Sequence, residues 1–137
     1  MKIKIINYLD PTLIPPTRKH YNDAGADVFS PISVELASGS TAIIPLGFGV
    51  EIPDGYFGLI YVRSSMAAKG LTVELPPIDS GYRGQIHAII RNHGPNPYKI
   101  EVGDRIGQLV IQPVVIADFV EELAEERGTG AFGSTGR

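Results

Sequence analysis

Cysteine is absent from the 137 residues, and histidine occurs only three times. Without cysteine there is no disulfide scaffold, no cysteine nucleophile and no thiolate zinc site. No apolar run approaches the roughly 18 residues that a membrane-spanning helix needs. An excess of basic residues is also missing: 12 Lys+Arg face 15 Asp+Glu, for a net charge of −3 and a pI near 5.5. Coating a nucleic-acid backbone needs a basic surface, so stable nucleic-acid binding is not expected. The opening Met1-Lys2-Ile3-Lys4-Ile5-Ile6 is too short and too charged for a signal peptide. With 43% hydrophobic and 20% charged residues, the composition is that of a globular chain. The expectation is one soluble, cytoplasmic domain with no membrane partner.

What is present in excess is punctuation. Glycine (16) and proline (11) exceed the roughly ten and seven of average usage and fall between short apolar runs. Lys2–Ile5 alternates polar and apolar residues, as a half-buried strand does. Val34–Leu36, Thr41–Ile44, Phe48–Ile52 and Phe57–Val62 read as successive strands, separated by Ser38-Gly39-Ser40, Pro45-Leu46-Gly47 and Pro53-Asp54-Gly55. Gln85–Arg91, Ile100–Val102, Arg105–Ile111 and Val114–Ile116 continue the pattern, which predicts an all-β sandwich or barrel. One short helix is predicted over Ser64–Lys69, with a serine cap at its start and Gly70 at its end. Glu121–Glu126 reads as a solvated acidic surface. Seven of the last eleven residues are Gly, Ser or Thr, too little to build a core.

Five segments carry residues suited to chemistry. Asp23-Ala24-Gly25-Ala26-Asp27 sets two carboxylates around a glycine, open either to a turn holding a hard cation or to a plain Asp-rich turn. It is not an EF-hand, because the ligand spacing and closing Glu are missing. Arg63-Ser64-Ser65 places a guanidinium and two hydroxyls at a helix start, a setting for phosphate or a capped helix beside a surface Arg. Pro76-Pro77-Ile78-Asp79-Ser80-Gly81-Tyr82-Arg83-Gly84 reads as a β-hairpin whose Asp is either a turn residue or a base. Gly103-Asp104-Arg105 leads as a turn into a strand, where Gln108 is a polar residue in an apolar run. The tail contains Gly128-x-Gly130-x-x-Gly133, but no helix can follow it, so it is no dinucleotide fingerprint. Its Arg127, Phe132, Ser134 and Thr135 suit a lid over a nucleoside triphosphate.

Taken in order, these segments resemble the five motifs of the all-β, homotrimeric dUTPase family, from Asp23 to Gly136. The resemblance implies a jelly-roll-like fold over residues 1–126, with one short helix and a flexible Gly-rich tail over 127–137. It implies a trimer whose active sites lie between subunits: the first, second and fourth motifs from one chain, the third from a neighbour, the tail from the remaining one. The implied reaction is Mg²⁺-dependent hydrolysis of dUTP to dUMP and pyrophosphate, which limits uracil in DNA and supplies dUMP for thymidylate synthesis. By motif, Asp79 would be the general base for a water attacking the α-phosphorus. Arg63, Ser64, Ser65 and Gln108 would contact the phosphates, and Asp104 would orient its neighbours. No direct protein ligand to Mg²⁺ is expected, with Asp27 acting through water. Ile78 and its hairpin would read uracil, and Tyr82 would pack on the deoxyribose. Phe132 would stack on the base, for about 1–3 kcal/mol, while Arg127, Gly133, Ser134 and Thr135 would close on the phosphates.

The chain departs from the family's pattern at three places. Pro76 and Pro77 stand where the family has Gly and an apolar residue, and so remove two N–H donors from the hairpin. Val73 lies where some members offer a base-reading Asn, and Ser65 replaces a common Gly. Two rivals share the fold: a metal-free dCTP deaminase relative, for which Glu74 is the candidate acid, and a nucleotide-sensing module without turnover. A zinc-type deaminase is excluded by the missing cysteines.

Overall fold

In chain order the strands are β1 (Lys4–Asn7), β2 (Ala26–Phe29), β3 (Val34–Leu36), β4 (Thr41–Pro45), β5 (Phe48–Glu51), β6 (Tyr56–Tyr61), β7 (Leu71–Val73), β8 (His87–Asn92), β9 (Tyr98–Ile100) and β10 (Arg105–Pro113), with one helical turn, α1 (Ser64–Ala67), between β6 and β7. They are taken from a computed structural model that describes residues 1–124. Four small antiparallel sheets result, β1-β5, β2-β10-β6, β3-β9 and β4-β8-β7. Among the described residues no helix is long and apolar enough to cross a membrane.

The sheets share one core, towards which several strands alternate. In β8, Ala88, Ile90 and Asn92 point inward while His87, Ile89 and Arg91 point outward. Val28, Ile44, Val50, Ile90 and Ile100 lose all solvent contact, and Phe48, Leu36 and Ile106 nearly all. Each such side chain contributes roughly 1.5–3 kcal/mol on leaving water. Turn chemistry sets the corners. Gly103 (φ +88°) sits in the turn before β10, closed by the Asp104 N–H to Glu101 O bond at 3.0 Å. The Asp104 carboxylate clamps the same turn by accepting the Glu101 N–H at 2.8 Å.

Eight of the nine expected strands have counterparts, Val34–Leu36 with its ends as expected and the others with shifted ends; the ninth, Val114–Ile116, is not a strand. The Val114 N–H bonds Gly55 O at 2.8 Å, and there the neighbouring chain turns away at Pro53–Gly55, leaving Val115 and Ile116 without a strand beside them. The first strand starts at Lys4 rather than Lys2, and β9 ends where a strand was expected to begin. Both β2 and β7 escape the sequence reading, the former because its residues look like part of an Asp-rich turn. Helix α1 is one turn, with Arg63 at its N-cap and no side-chain cap, so the expected serine cap does not form. Gly70 does take the left-handed conformation after it (φ +85°).

Asn92 and Ser30 are the buried polar residues among those described, and Asn92 is 1% exposed. Its amide donates to Leu36 O (3.1 Å) and Asn96 O (2.8 Å), and its oxygen accepts from Gly94 N (2.9 Å). Asn92→Ala would strand these main-chain groups, and chemical denaturation should show a loss of about 3 kcal/mol. A loss below about 0.5 kcal/mol would mean that water replaces the amide without penalty.

Candidate active site

The first, second and fourth sequence motifs converge on the sheet β2-β10-β6. Because β10 pairs on both sides, Gln108 stands opposite Asp27 of β2 and opposite Tyr61 of β6. Asp27 therefore lies in a strand, not in the turn expected for it. Only Asp23 serves a turn, accepting the His20 N–H at 2.8 Å. Gly25 lies against Gln108: a Cβ there would come within 2.8 Å of Gln108 Cβ and 3.0 Å of its Oε1. Arg63 follows β6 by two residues, and its Nη1 donates to Arg105 O at 3.3 Å. Arg105 in turn faces Asp27, Nη1 to Oδ2 3.6 Å. Met66 is buried beneath α1 and anchors the turn, which leaves Ser64 and Ser65 exposed. Among the described residues neither serine hydroxyl has a hydrogen-bond partner. The result is a shallow face on which the Arg63 guanidinium, two free hydroxyls and the Gln108 amide form a donor set for a polyphosphate, beside the Arg105–Asp27 pair.

The third motif is a wide loop rather than a tight hairpin. Strands β7 and β8 pair from Leu71↔Asn92 to Val73↔Ile90, and residues 74–86 bulge out between them. Within that loop, Asp79–Tyr82 form a turn through the Tyr82 N–H to Asp79 O bond at 3.1 Å. The loop is braced on several sides. Ile78 exchanges both main-chain bonds with Gly58 (2.8 and 3.0 Å), and Tyr8 donates its hydroxyl to Arg83 O (2.7 Å). Ser80 donates to Asp54 Oδ1 (3.1 Å), and Arg83 reaches back to Ser80 O. The Asp79 side chain is exposed, and its carboxylate has no hydrogen bond or ion pair among the described residues. It rims a pocket of about 240 Å³ lined also by Ile60, Pro76, Pro77, Ile78, Tyr82 and His87. The Tyr82 ring lies over Gly84, with its hydroxyl donating to Gln85 O at 2.7 Å.

These two places are far apart within one chain. Ile78 bridges to Gly58 at the outer edge of β6, so the order across the sheet runs Thr17, β2, β10, β6, Ile78. Asp27 and Ile78 are three strand spacings apart, about 14 Å, and about 10 Å offset along the strands. Arg127, Phe132, Gly133, Ser134 and Thr135 lie outside the described residues. Among the described residues no three His, Asp or Glu side chains gather as a metal cage.

A family model described as dUTPase matches residues 12–136. The chain belongs to the dUTPase family. It is 48% identical to the deoxyuridine 5'-triphosphate nucleotidohydrolase of Thermobifida fusca, over 96% of this chain and 77% of that protein. A point mutant of the dUTPase from phage phi11 of S. aureus, described as coordinating a structural Mg(II) ion, superposes with a TM-score of 0.83 at 28% identity, covering 92% of this chain and 99% of that one. A point mutant of the Staphylococcus bacteriophage 80alpha dUTPase with dUpNHpp gives 0.81 at 33% identity, with 99% of both chains covered. The fold is accordingly the family's β jelly-roll-like one, as the resemblance implied.

Sequence reasoning assigned no role to Arg105, Gly25 or Gly84, each of which shapes the site. Gly84 carried a signal, since a glycine two residues from an aromatic in a braced loop marks close approach. An added Cβ at Gly84 would come within 2.6 Å of Tyr82 Oη and 2.7 Å of Cζ. Gly84→Ala is therefore expected to cost about 1–3 kcal/mol of stability by overpacking. In a Tyr82→Ala background most of that loss should vanish. Equal losses in both backgrounds, read by denaturant unfolding, would show that the ring is not the obstacle.

Proposed function

We propose that this chain hydrolyses dUTP to dUMP and pyrophosphate at sites shared between copies of itself. The observation that carries the reading is the separation of Asp79 from the Asp27, Arg63 and Gln108 face. A reacting phosphorus must lie within about 3–3.5 Å of its attacking water, so one phosphorus cannot serve both places in a single chain. Two chains can bring the third motif of one against the phosphate face of the next. The exposed apolar side chains of Val115, Ile116, Phe119, Val120 and Leu123 support assembly as well, since a run of that kind on one chain is covered by another. A homotrimer satisfies both demands with three equivalent sites.

In this site Asp79 takes a proton from water as its oxygen bonds to the α-phosphorus, and the bond from that phosphorus to the α,β-bridging oxygen breaks. An unpaired carboxylate is what such a base requires. Arg63, Ser64, Ser65 and Gln108 hold the phosphates in line and meet the charge on the departing pyrophosphate. With no cage of side chains among the described residues, Mg²⁺ would be held chiefly by the substrate's phosphates, with Asp27 as the carboxylate that would support it through water. Bound there, Mg²⁺ neutralises charge on the leaving group. Asp104 supports Gln108 indirectly by clamping the turn into β10. Uracil enters the 240 Å³ pocket, and Tyr82 packs on the deoxyribose where a 2′-hydroxyl would need room. From the tail, 127–137, Phe132 stacks on the base, and Arg127, Gly133, Ser134 and Thr135 close on the phosphates. The cytoplasm, where dUTP arises, is the proposed location.

The deaminase alternative is less well supported, because its candidate acid is paired. Glu74 is held by Arg91, Oε1 to Nε 2.6 Å, and Arg91 is fixed further by Thr41 at 3.1 Å. Ammonia release from dCTP would restore that reading.

Pyrophosphate release from dUTP, with Mg²⁺ and beside UTP, dTTP and dCTP, is the test. Asp79→Asn should lower kcat by about 10²–10⁴-fold with dUTP still bound. Near-normal turnover would remove Asp79 from the role of base, and binding without cleavage by the unaltered chain would favour a sensor. Deleting residues 128–137 should nearly abolish turnover while leaving oligomeric mass unchanged by light scattering. Full activity after that deletion would defeat the lid.

A further inference from the structure

Arg105 and Gln108 are three residues apart, which in a regular strand would point their side chains to opposite faces. The register of β10 against β2 shifts between Arg105 and Gly107. That bulge absorbs one residue, so Arg105 stands opposite Phe29 and Gln108 opposite Asp27, two positions apart on β2 and hence on one face. Gly107 permits the distortion: a Cβ there would come within 2.9 Å of both Ile60 Cγ2 and Tyr61 O. The bulge thus delivers the Arg105 guanidinium to 3.6 Å from Asp27 Oδ2, with Asp27 only 21% exposed. On the other side the Arg105 carbonyl accepts from Arg63 Nη1 at 3.3 Å.

We propose that Arg105 is a positioning residue of the phosphate end of the site. Its guanidinium fixes the Asp27 carboxylate towards the hydrated Mg²⁺ that the substrate phosphates carry, and its backbone holds Arg63. The proposal rests on the function proposed above and adds to it a residue that does not touch substrate. A carboxylate acting through water has a soft linkage to the ion, so its own orientation decides whether the bridge forms. Outer partners of that kind typically change metal affinity or activity about 10–100-fold when removed. Arg105 acts through Asp27 rather than on phosphate, because the bulge turns its charge to the carboxylate.

The test is calorimetric binding of dUpNHpp to the full-length chain, with Mg²⁺ and with EDTA, for wild type, R105Q, R105K and D27N. Mg²⁺ should tighten wild-type binding, and R105Q should lose about tenfold of that gain while its affinity in EDTA stays within about twofold. D27N should lose the same gain, and the R105Q/D27N pair should be no worse than either alone. R105K keeps the charge without the planar fork and should show an intermediate loss, which preserves the test should R105Q not fold. Equal weakening of R105Q in Mg²⁺ and EDTA would make Arg105 a direct phosphate ligand and overturn the proposal, as would an unchanged Mg²⁺ gain in both variants. A wild-type chain that binds dUpNHpp but does not cleave dUTP would overturn the proposed function alone.

Discussion

Strand β10 is the one strand on which the site depends, because it alone pairs with two site-bearing strands. Between β2 and β6 it sets Gln108 level with Asp27 on one side and Tyr61 on the other. The residues that follow β6, from Arg63 to Ser65, then emerge beside the turn that opens β10. Sheet register is specified strongly where one face is buried, and here Val28, Ile60, Ile106 and Leu109 bury it. A slip of one residue in β10 would turn Gln108 inward and Leu109 outward, so the packing of the core and the order of the phosphate face are a single constraint.

The same sheet explains why the site is divided. Its outer edge at β6 is occupied by Ile78, which uses both of its main-chain groups on Gly58. That bond pair locks the loop carrying Asp79 to the far side of the sheet, and the braces from Tyr8 and Asp54 hold it there. A loop fixed in this way cannot fold back across the sheet to reach its own Asp27. In the proposed shared site, rigidity within each chain would favour assembly between chains: the parts are preorganised, and only their docking would be left to association.

Much of this was legible in the amino acids. Turn-forming clusters such as Ser38-Gly39-Ser40 and Pro53-Asp54-Gly55 mark real corners, since their φ requirements are local. The motif order pointed to the segments that carry Asp27, Arg63 and Gln108, which the β2-β10-β6 sheet brings together. What was hidden was non-local. Strand β2 is four residues beside an Asp-rich turn, and its character comes from pairing with β10, not from its own pattern. The β10 bulge has no signature beyond Gly107, so the meeting of Arg105 with Asp27 could not be read from a spacing. Val114–Ile116 has strand-like residues but no partner in the described chain, and propensity without a neighbour makes no strand. The wide loop over 74–86 replaced a tight hairpin because Pro76 and Pro77 cannot donate to a ladder.

Those prolines bear on how a base would be told apart in the proposed site. Neither offers an N–H, and the main-chain groups of Ile78 are committed to Gly58. Around the pocket, Glu74 has one oxygen taken by Arg91, and Gln85 gives its Oε1 to the Gly47 N–H at 2.8 Å. The polar groups left to face a base edge are few: the Asp79 N–H, the proline carbonyls, the second Glu74 oxygen, the Gln85 amide nitrogen and His87. Few groups can still discriminate sharply when they are held stiffly, because a mismatched edge then has no alternative partner and leaves buried groups unpaired. In the proposed site proline would supply stiffness where a more flexible loop would supply donors, and selectivity would rest on shape that the sheet itself keeps in place.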